Sequence, residues 1–552
     1  GYTRHDLFSF HTETPDYDLY LFSGGNENAI CKEFRTLIGR SYIPPRWAFG
    51  LAQSRWGYKT EEDVREVARQ YKEHDLPLDM ICMDIEYMQD YADFTVNKER
   101  FPDLTKLSAD LKAQGIRLVP IIDAGVRIDP NDPTCTEGLE KGYFCKKADG
   151  TPFVAAVWPG KAYFADFLRP EVREWFGHKY KALTDCGIEG FWNDMNEPAI
   201  FYSEKHLKEV FEKMEDYKTM NLDVNTFFEM TGMIGSICNN PEDYASFYHN
   251  YRGKRYRHDQ VHNLFGYYMT RSASEAFERY VPEKRILLFS RASYIGMHRF
   301  GGIWQGDNAS WWSHLKMNVK MMPSLNMCGF LYTGADVGGF GADATEDLVL
   351  RWLEFAVFTP LLRNHSARGT RRQEVYRFSH VEKFADVIGV RYQILPYIYS
   401  EYMKAALRNT MMFNPLSFLY GEDALARQVE DQLFIGENVM VAPVCEQNVT
   451  GRVVYFQERM KQLIFKDGIV EEGKVYEKGF SYVEMPMGTV HIFLREGYLF
   501  PVAKGGKCVE AVDFEDLTLY SFGEEIKPYE YYLDDGETKD FALESHIRML
   551  SC

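Results

Sequence analysis

Five aspartates stand at the ends of short apolar runs: Asp84 closes MICMD, Asp123 LVPIID, Asp194 GFWND, Asp307 GIWQGD and Asp336 LYTGAD. Such runs read as buried parallel strands, and a barrel gathers strand ends into one ring, where catalytic groups sit. Five carboxylates at one mouth repel each other unless a ligand uses them. They suit either a divalent metal or a polyhydroxylated substrate. A metal site lacks its usual company: there is no H-E-x-x-H or H-x-H, and His365 is the one histidine at a predicted strand end. Aromatic residues are there instead. Trp56, Trp158, Trp192, Trp304 and Phe340 lie beside these acids or in the loops around them. Carboxylates accept hydrogen bonds from hydroxyls and flat rings cover C–H faces, the two needs of a sugar pocket.

Bringing five strand ends together requires the strands and the helices between them. WAFGLAQSRW, MICMDIEY, RLVPIIDAGV, GIEGFWNDMNE, RILLFSR, GGIWQGDN, GFLYTGADVGG and FAVFTPLLRNH supply eight apolar runs. Amphipathic stretches separate them, among them TEEDVREVARQYKEHD with Thr60 as N-cap. This alternation predicts an α/β chain whose residues 26–408 form a (β/α)8 TIM barrel. Two excursions, at about 127–160 and 199–260, follow the third and fourth strands, on the face where such barrels build their sites. YDLYLFSG, within residues 1–25, reads as the end of a β-structure stopping at Gly24-Gly25. Beyond residue 408 the pattern alternates and turns often, predicting a proximal C-terminal β-sandwich at 409–495 and a distal β domain at 496–552.

At 552 residues the chain exceeds what one hydrophobic core can serve. Its 81 acidic and 63 basic residues leave a net charge of −18, which disfavours nucleic acid and anionic membranes as partners. No apolar run approaches the roughly 20 residues of a membrane-spanning helix. The ten cysteines form no C-x-x-C pair, and Cys82 and Cys328 sit in apolar runs as free thiols would. A reducing cytoplasm is the expected location. The chain opens with Gly1 and without a signal peptide. Oligomeric state is left open.

The segments around the acids resemble glycoside hydrolase family 31. GFWNDMNEP, at 190–198, is similar to the signature that holds the family's nucleophile, which falls on Asp194 with Trp192 and Met195 beside it. RASYIGMHRFGGIWQGDNASWW, at 291–312, resembles the segment of the acid/base, which falls on Asp307; Arg291 and Trp304 match residues lining the subsite for the non-reducing glucose. MDIEYM matches at the substrate-clamping Asp84 with Ile85, and PIIDAG at Ile121 and Asp123. VWPG supplies Trp158, GADVGGF supplies Asp336 and Phe340, and RNH supplies Arg363 and His365. These motifs run in family order over roughly residues 10–540.

The resemblance implies a retaining, exo-acting α-glucosidase that removes terminal glucose from small oligosaccharides without metal or cofactor. Retention needs an ionised carboxylate to attack the anomeric carbon and a protonated one about 5–5.5 Å away to protonate the leaving oxygen. Asp194 is expected at a low pKa, with Arg291 and Arg363 as its partners. Asp307 is expected to stay protonated through its negative neighbours and Trp304. A glucosyl–Asp194 intermediate would then be hydrolysed with Asp307 as base. Asp84 and Asp123 would accept hydrogen bonds from sugar hydroxyls, and His365 would donate one. Glu197, three residues after Asp194, is too near along the chain to face it across a substrate and reads as support.

Trp56 stands where maltase-like members often carry Tyr and isomaltose-preferring members often carry Trp, which implies a preference for α-1,6 bonds. Family members usually begin with a complete β-sandwich, of which residues 1–25 are expected to be the remnant. α-Xylosidase, α-galactosidase, sulfoquinovosidase and elimination activities share the resemblance. A silent sugar-binding protein is the reading from another class, and the Asp194–Asp307 pair argues against it.

Overall fold

The computed structural model describes residues 11–12 and 16–551. Its centre is a parallel barrel of β1 (Leu51–Ser54), β2 (Met80–Met83), β3 (Arg117–Ile122), β4 (Gly190–Asn193), β5 (Leu287–Ser290), β6 (Gly302–Trp304), β7 and β8 (Leu362–Asn364). Strand β7 is split into Thr333–Gly334 and Asp336–Val337. Its first half pairs with β6 (Trp304 opposite Gly334) and its second with β8 (Asp336 opposite Arg363). One segment thus joins both edges of the sheet. A Cβ on Gly334 would lie 1.9 Å from the Leu361 carbonyl oxygen, so this crossing requires glycine. Every position of β1 to β5 is buried. The barrel interior covers one face and the helical ring the other, which is why these strands are continuously apolar.

The helix after β1, Glu61–Glu73, starts at a Thr60–Asp63 capping box and buries Val64, Val67, Ala68 and Tyr71 against the strands. Several predicted strands are shorter than their apolar runs. Trp47, Ala48 and Phe49 form a 3-10 turn under the barrel, and FAVFTP ends a helix and turns before β8 begins. Burial made these segments apolar; hydrogen bonding did not make them strands.

Both long excursions have structure of their own. Gly125–Arg127, Val154–Val157, Gly160–Phe164 and Tyr202–Ser203 form one four-stranded antiparallel sheet, so the loops after β3 and β4 are stitched together. Helices Glu204–Tyr217 and Val224–Gly235 and the hairpin Phe247–Tyr251/Lys254–Arg257 complete the second excursion. After the helix Val381–Arg408 come a six-stranded antiparallel sheet and three two-stranded ribbons. A buried Arg285–Asp534 pair at 2.5 Å, with Tyr399 Oη donating to Asp534 at 2.8 Å, fastens the last ribbons to β5 and to that helix.

The strand expected in YDLYLFSG is not formed. Residues 17–24 pair with no strand and expose Tyr17, Leu19, Tyr20 and Leu21, while residues 1–10 and 13–15 lie outside the described residues. Among the described residues nine cysteines are free thiols, and no helix is long and apolar enough to cross a membrane.

Candidate active site

Strand β4 ends at Asn193, and the next backbone N–H, that of Asp194, donates to Ile122 O of β3 at 2.9 Å. Met195 then takes a left-handed conformation, φ +54°, at a cost of order 1 kcal/mol for a residue with a Cβ. That turn lets the Met195 N–H donate to Asp194 Oδ1 at 2.7 Å. Asn196 fixes the loop to its neighbour: its Nδ2 donates to Ser290 Oγ at 2.9 Å, and its Oδ1 accepts from the Ala292 N–H at 3.0 Å. Arg291 N–H in turn donates to Asn193 O at 3.0 Å. The ends of β4 and β5 are therefore one rigid platform.

Arg291 joins three carboxylates across it. Its Nε and Nη2 grip Glu197 in bidentate fashion at 2.8 and 2.9 Å. Its Nη1 reaches Asp194 Oδ1 at 2.9 Å and Asp307 Oδ2 at 3.4 Å. The nearest oxygens of Asp194 and Asp307 can be no further apart than those two contacts laid end to end. That closeness is compatible with the roughly 5–5.5 Å between the carboxyl groups of a retaining pair.

Burial pushes Asp194 up to about 6 against the pull of Arg291, with Asp307 and Glu197 adding to the rise. This differs from the low value expected from sequence. Arg363 gives Asp194 no contact, because its own guanidinium donates to Asp336 Oδ1 at 2.8 Å. Asp307 is also raised, by burial first and by the charge of Asp336, with Arg291 and Arg363 opposing. Its side chain stands at the rim, 45% exposed, while that of Asp194 lies deeper at 13%.

The other acids line the floor. Both oxygens of Asp123 are buried without a hydrogen-bond partner, aligned by the Asp123 N–H donating to Asp93 Oδ1 at 2.7 Å. Asp84 accepts from the Ile85 N–H at 2.8 Å and keeps its second oxygen 3.9 Å from His365 Nε2. Burial raises both carboxyls well above the usual range, with Glu86 adding at Asp84 and Asp93 at Asp123. Hydroxyl donors from a ligand would stabilise their ionised forms. His365 is held neutral by burial and by the charges of Arg363 and Arg55; its Nδ1 lies 2.7 Å from Ser54 Oγ and its ring stacks on Phe340 at 5.0 Å.

Trp192 and Trp304 pack edge to face at 5.5 Å over the fully buried Arg363 guanidinium. Gly306 lets Trp304 Nε1 and Asp336 Oδ2 approach, since a Cβ there would lie 2.2 and 2.3 Å from them. Asp336, pushed up to about 6 by burial against Arg363, and Arg363 itself are wholly buried and support the walls from behind. Ile85 and Ile121 are likewise buried.

Trp56 packs on Trp158 at 5.1 Å and Trp158 on Phe201 at 4.8 Å, an aromatic wall beside the mouth. Sequence reasoning missed Phe201. An aromatic residue seven positions after Asp194, at the start of an excursion on the active face, was the available signal. The partner of Glu197 was also invisible, because Arg291 lies 94 residues away.

The family model described as the glycosyl hydrolases family 31 TIM-barrel domain matches residues 41–401, and the glycosyl hydrolase family 31 C-terminal domain matches residues 409–500. The chain is similar to alpha-glucosidase 2 of Bacillus thermoamyloliquefaciens, 35% identical over 99% of this chain and 65% of that protein. It is similar to neutral alpha-glucosidase C of Mus musculus, 28% identical over 97% of this chain and 56% of that one. Among solved structures, the glucosidase II alpha subunit superposes with a TM-score of 0.80 at 26% identity, covering 95% of this chain and 53% of that one. The chain thus spans between half and two thirds of the length of these relatives.

Proposed function

The chain belongs to glycoside hydrolase family 31, and from that premise we propose that it is a retaining, exo-acting α-glucosidase releasing terminal glucose from small oligosaccharides. The observation that carries the reading is Arg291, whose Nη1 serves Asp194 and Asp307 at once. Asp194, deep and paired with a cation, attacks the anomeric carbon. Asp307, at the rim, gives its proton to the departing oxygen. The covalent glucosyl–Asp194 ester is then opened by water as the now ionised Asp307 takes a proton from that water. Asp84 and Asp123 accept hydrogen bonds from hydroxyls of the bound glucose, and His365, neutral with Ser54 on its Nδ1, donates from Nε2. No step calls for a metal or cofactor. Screening aryl α-glucoside, α-xyloside and α-galactoside tests the reading: the glucoside should be hydrolysed best, and preference for either other sugar would replace it.

A pH profile follows from the ionisation of the pair. Asp194 must be ionised, so kcat/KM should fall on the acid side as pH drops through about 6, where burial has moved its proton uptake. Asp307 must be protonated, so its deprotonation closes the alkaline side, and the two limbs belong to the pair as a unit. A profile flat between pH 5 and 7 would contradict this assignment.

For linkage, we propose a preference for α-1,6 over α-1,4 bonds. The extra rotatable bond of an α-1,6 link lets the second sugar lie across the broad indole of Trp56, which Trp158 holds in place. Trp56→Tyr should move the isomaltose-to-maltose ratio of kcat/KM toward maltose by on the order of tenfold. If the ratio stays where it was, Trp56 does not read the linkage.

A further inference from the structure

Asp166, just after the first excursion, and three histidines at the end of the second form a hydrogen-bonded ladder outside the catalytic pocket. Asp166 Oδ1 meets His249 Nδ1 at 3.0 Å, His249 Nε2 meets His258 Nδ1 at 2.9 Å, and His258 Nε2 meets His262 Nδ1 at 2.9 Å. Asp166, His249 and His258 are wholly buried, and His262 is half-buried. The second Asp166 oxygen accepts from the Asn250 N–H at 2.8 Å, so the carboxylate is fixed as an acceptor. His249 therefore donates through Nδ1, and in its neutral form it accepts at Nε2 from His258. Neutral rings pass the same polarity along the chain: His258 and His262 each donate through Nδ1. Burial, with its two histidine neighbours, keeps His258 neutral. The ladder ends on His262 Nε2, a lone pair of fixed direction.

His262 itself lines a cleft of about 540 Å³, together with Tyr244, Tyr294, Asp259, Gln260 and Asn263. The Tyr244 ring stands edge-on to His262 at 5.0 Å, and Tyr294 is 47% exposed. Two tyrosines with amide, carboxylate and imidazole groups on one cleft are the chemistry a pyranose ring needs. The cleft also borders the catalytic site. Tyr244 Oη donates to the carbonyl of Pro198, which follows Glu197, at 3.0 Å, and Tyr294 lies three residues beyond Arg291.

We propose that this cleft is an accessory saccharide site, in which His262 Nε2 accepts a hydrogen bond from a hydroxyl of a glucosyl unit stacked between Tyr244 and Tyr294. The ladder fixes the imidazole tautomer, and oligosaccharides long enough to leave the catalytic pocket on this side gain the contact. The proposal rests on the α-glucosidase reading for its choice of ligand.

The test compares kcat/KM for isomaltotetraose and for an aryl α-glucoside in the unchanged protein, in Tyr294→Ala and in His262→Phe, which keeps a ring and removes the acceptor. The tetrasaccharide-to-aryl ratio should fall about tenfold in both variants, through KM with kcat held. An unmoved ratio in both variants, or equal losses on both substrates, overturns the proposal. Tyr294 is exposed on a loop, so its variant decides the matter if His262→Phe does not fold. If the unchanged protein hydrolyses no α-glucoside, the functional reading fails by itself. Calorimetric titration of Asp194→Ala, with and without Tyr294→Ala, by isomaltotetraose and maltotetraose then judges the cleft: tenfold weaker binding on losing Tyr294 supports it, and equal or absent binding overturns it.

Discussion

Asp194→Ala and Asp307→Ala should each lose turnover of disaccharides by a factor on the order of 10⁴ or more, with the fold intact. Without Asp194 there is no carboxylate at the depth from which the anomeric carbon is attacked. Glu197 cannot replace it, because both its oxygens are committed to Arg291. Without Asp307 the leaving oxygen departs as an alkoxide, so the loss in kcat/KM should be severe for isomaltose and far smaller for an aryl glucoside whose leaving group needs no proton. Steady-state rates on both substrates, with circular dichroism of each variant, check this. Equal losses on the two substrates in Asp307→Ala would remove that residue from the acid role.

Arg291→Met should cost less than losing a catalytic group but still heavily, because it leaves Asp194, Glu197 and Asp307 facing one another without a cation. Removing one partner of a buried pair costs about 3–5 kcal/mol, and a loss of that size at the transition state is roughly two to nearly four orders of magnitude in kcat/KM. The variant should also betray its mechanism in its pH profile. Arg291 is the group that pulls Asp194 down against burial, so the acid limb should move upward from about 6. Arg291→Lys keeps the charge but loses the fork on Glu197, and should fall between the two. Lost rate with an unmoved acid limb would show that Arg291 does not govern Asp194.

What the sequence revealed was the part set by local pattern. Eight apolar runs, five of them closed by an aspartate, marked the strands and the acids at their ends, because an apolar strand and its polar end differ sharply in composition. Burial itself was not legible. Asp194 next to an arginine suggests a lowered pKa, yet its depth reverses the sign. Arg363 looked available to Asp194 until the split of β7 set Asp336 opposite it. Ile85, in a 3-10 turn, and Ile121, in β3, stand near Asp84 and Asp123, and their burial could not be read from sequence. The histidine ladder joins Asp166 to positions 249, 258 and 262, and no local spacing brings Asp166 to the end of the second excursion.

The central claim is that Asp194 forms a covalent glucosyl ester. Incubation with 5-fluoro-α-glucosyl fluoride, which slows hydrolysis of that ester, followed by peptide mass spectrometry, tests it directly. The account predicts one fluoroglucosyl group on the peptide containing Asp194, with fragmentation placing it on that side chain and none in Asp194→Ala. A label on Glu197 or Asp307 would contradict it.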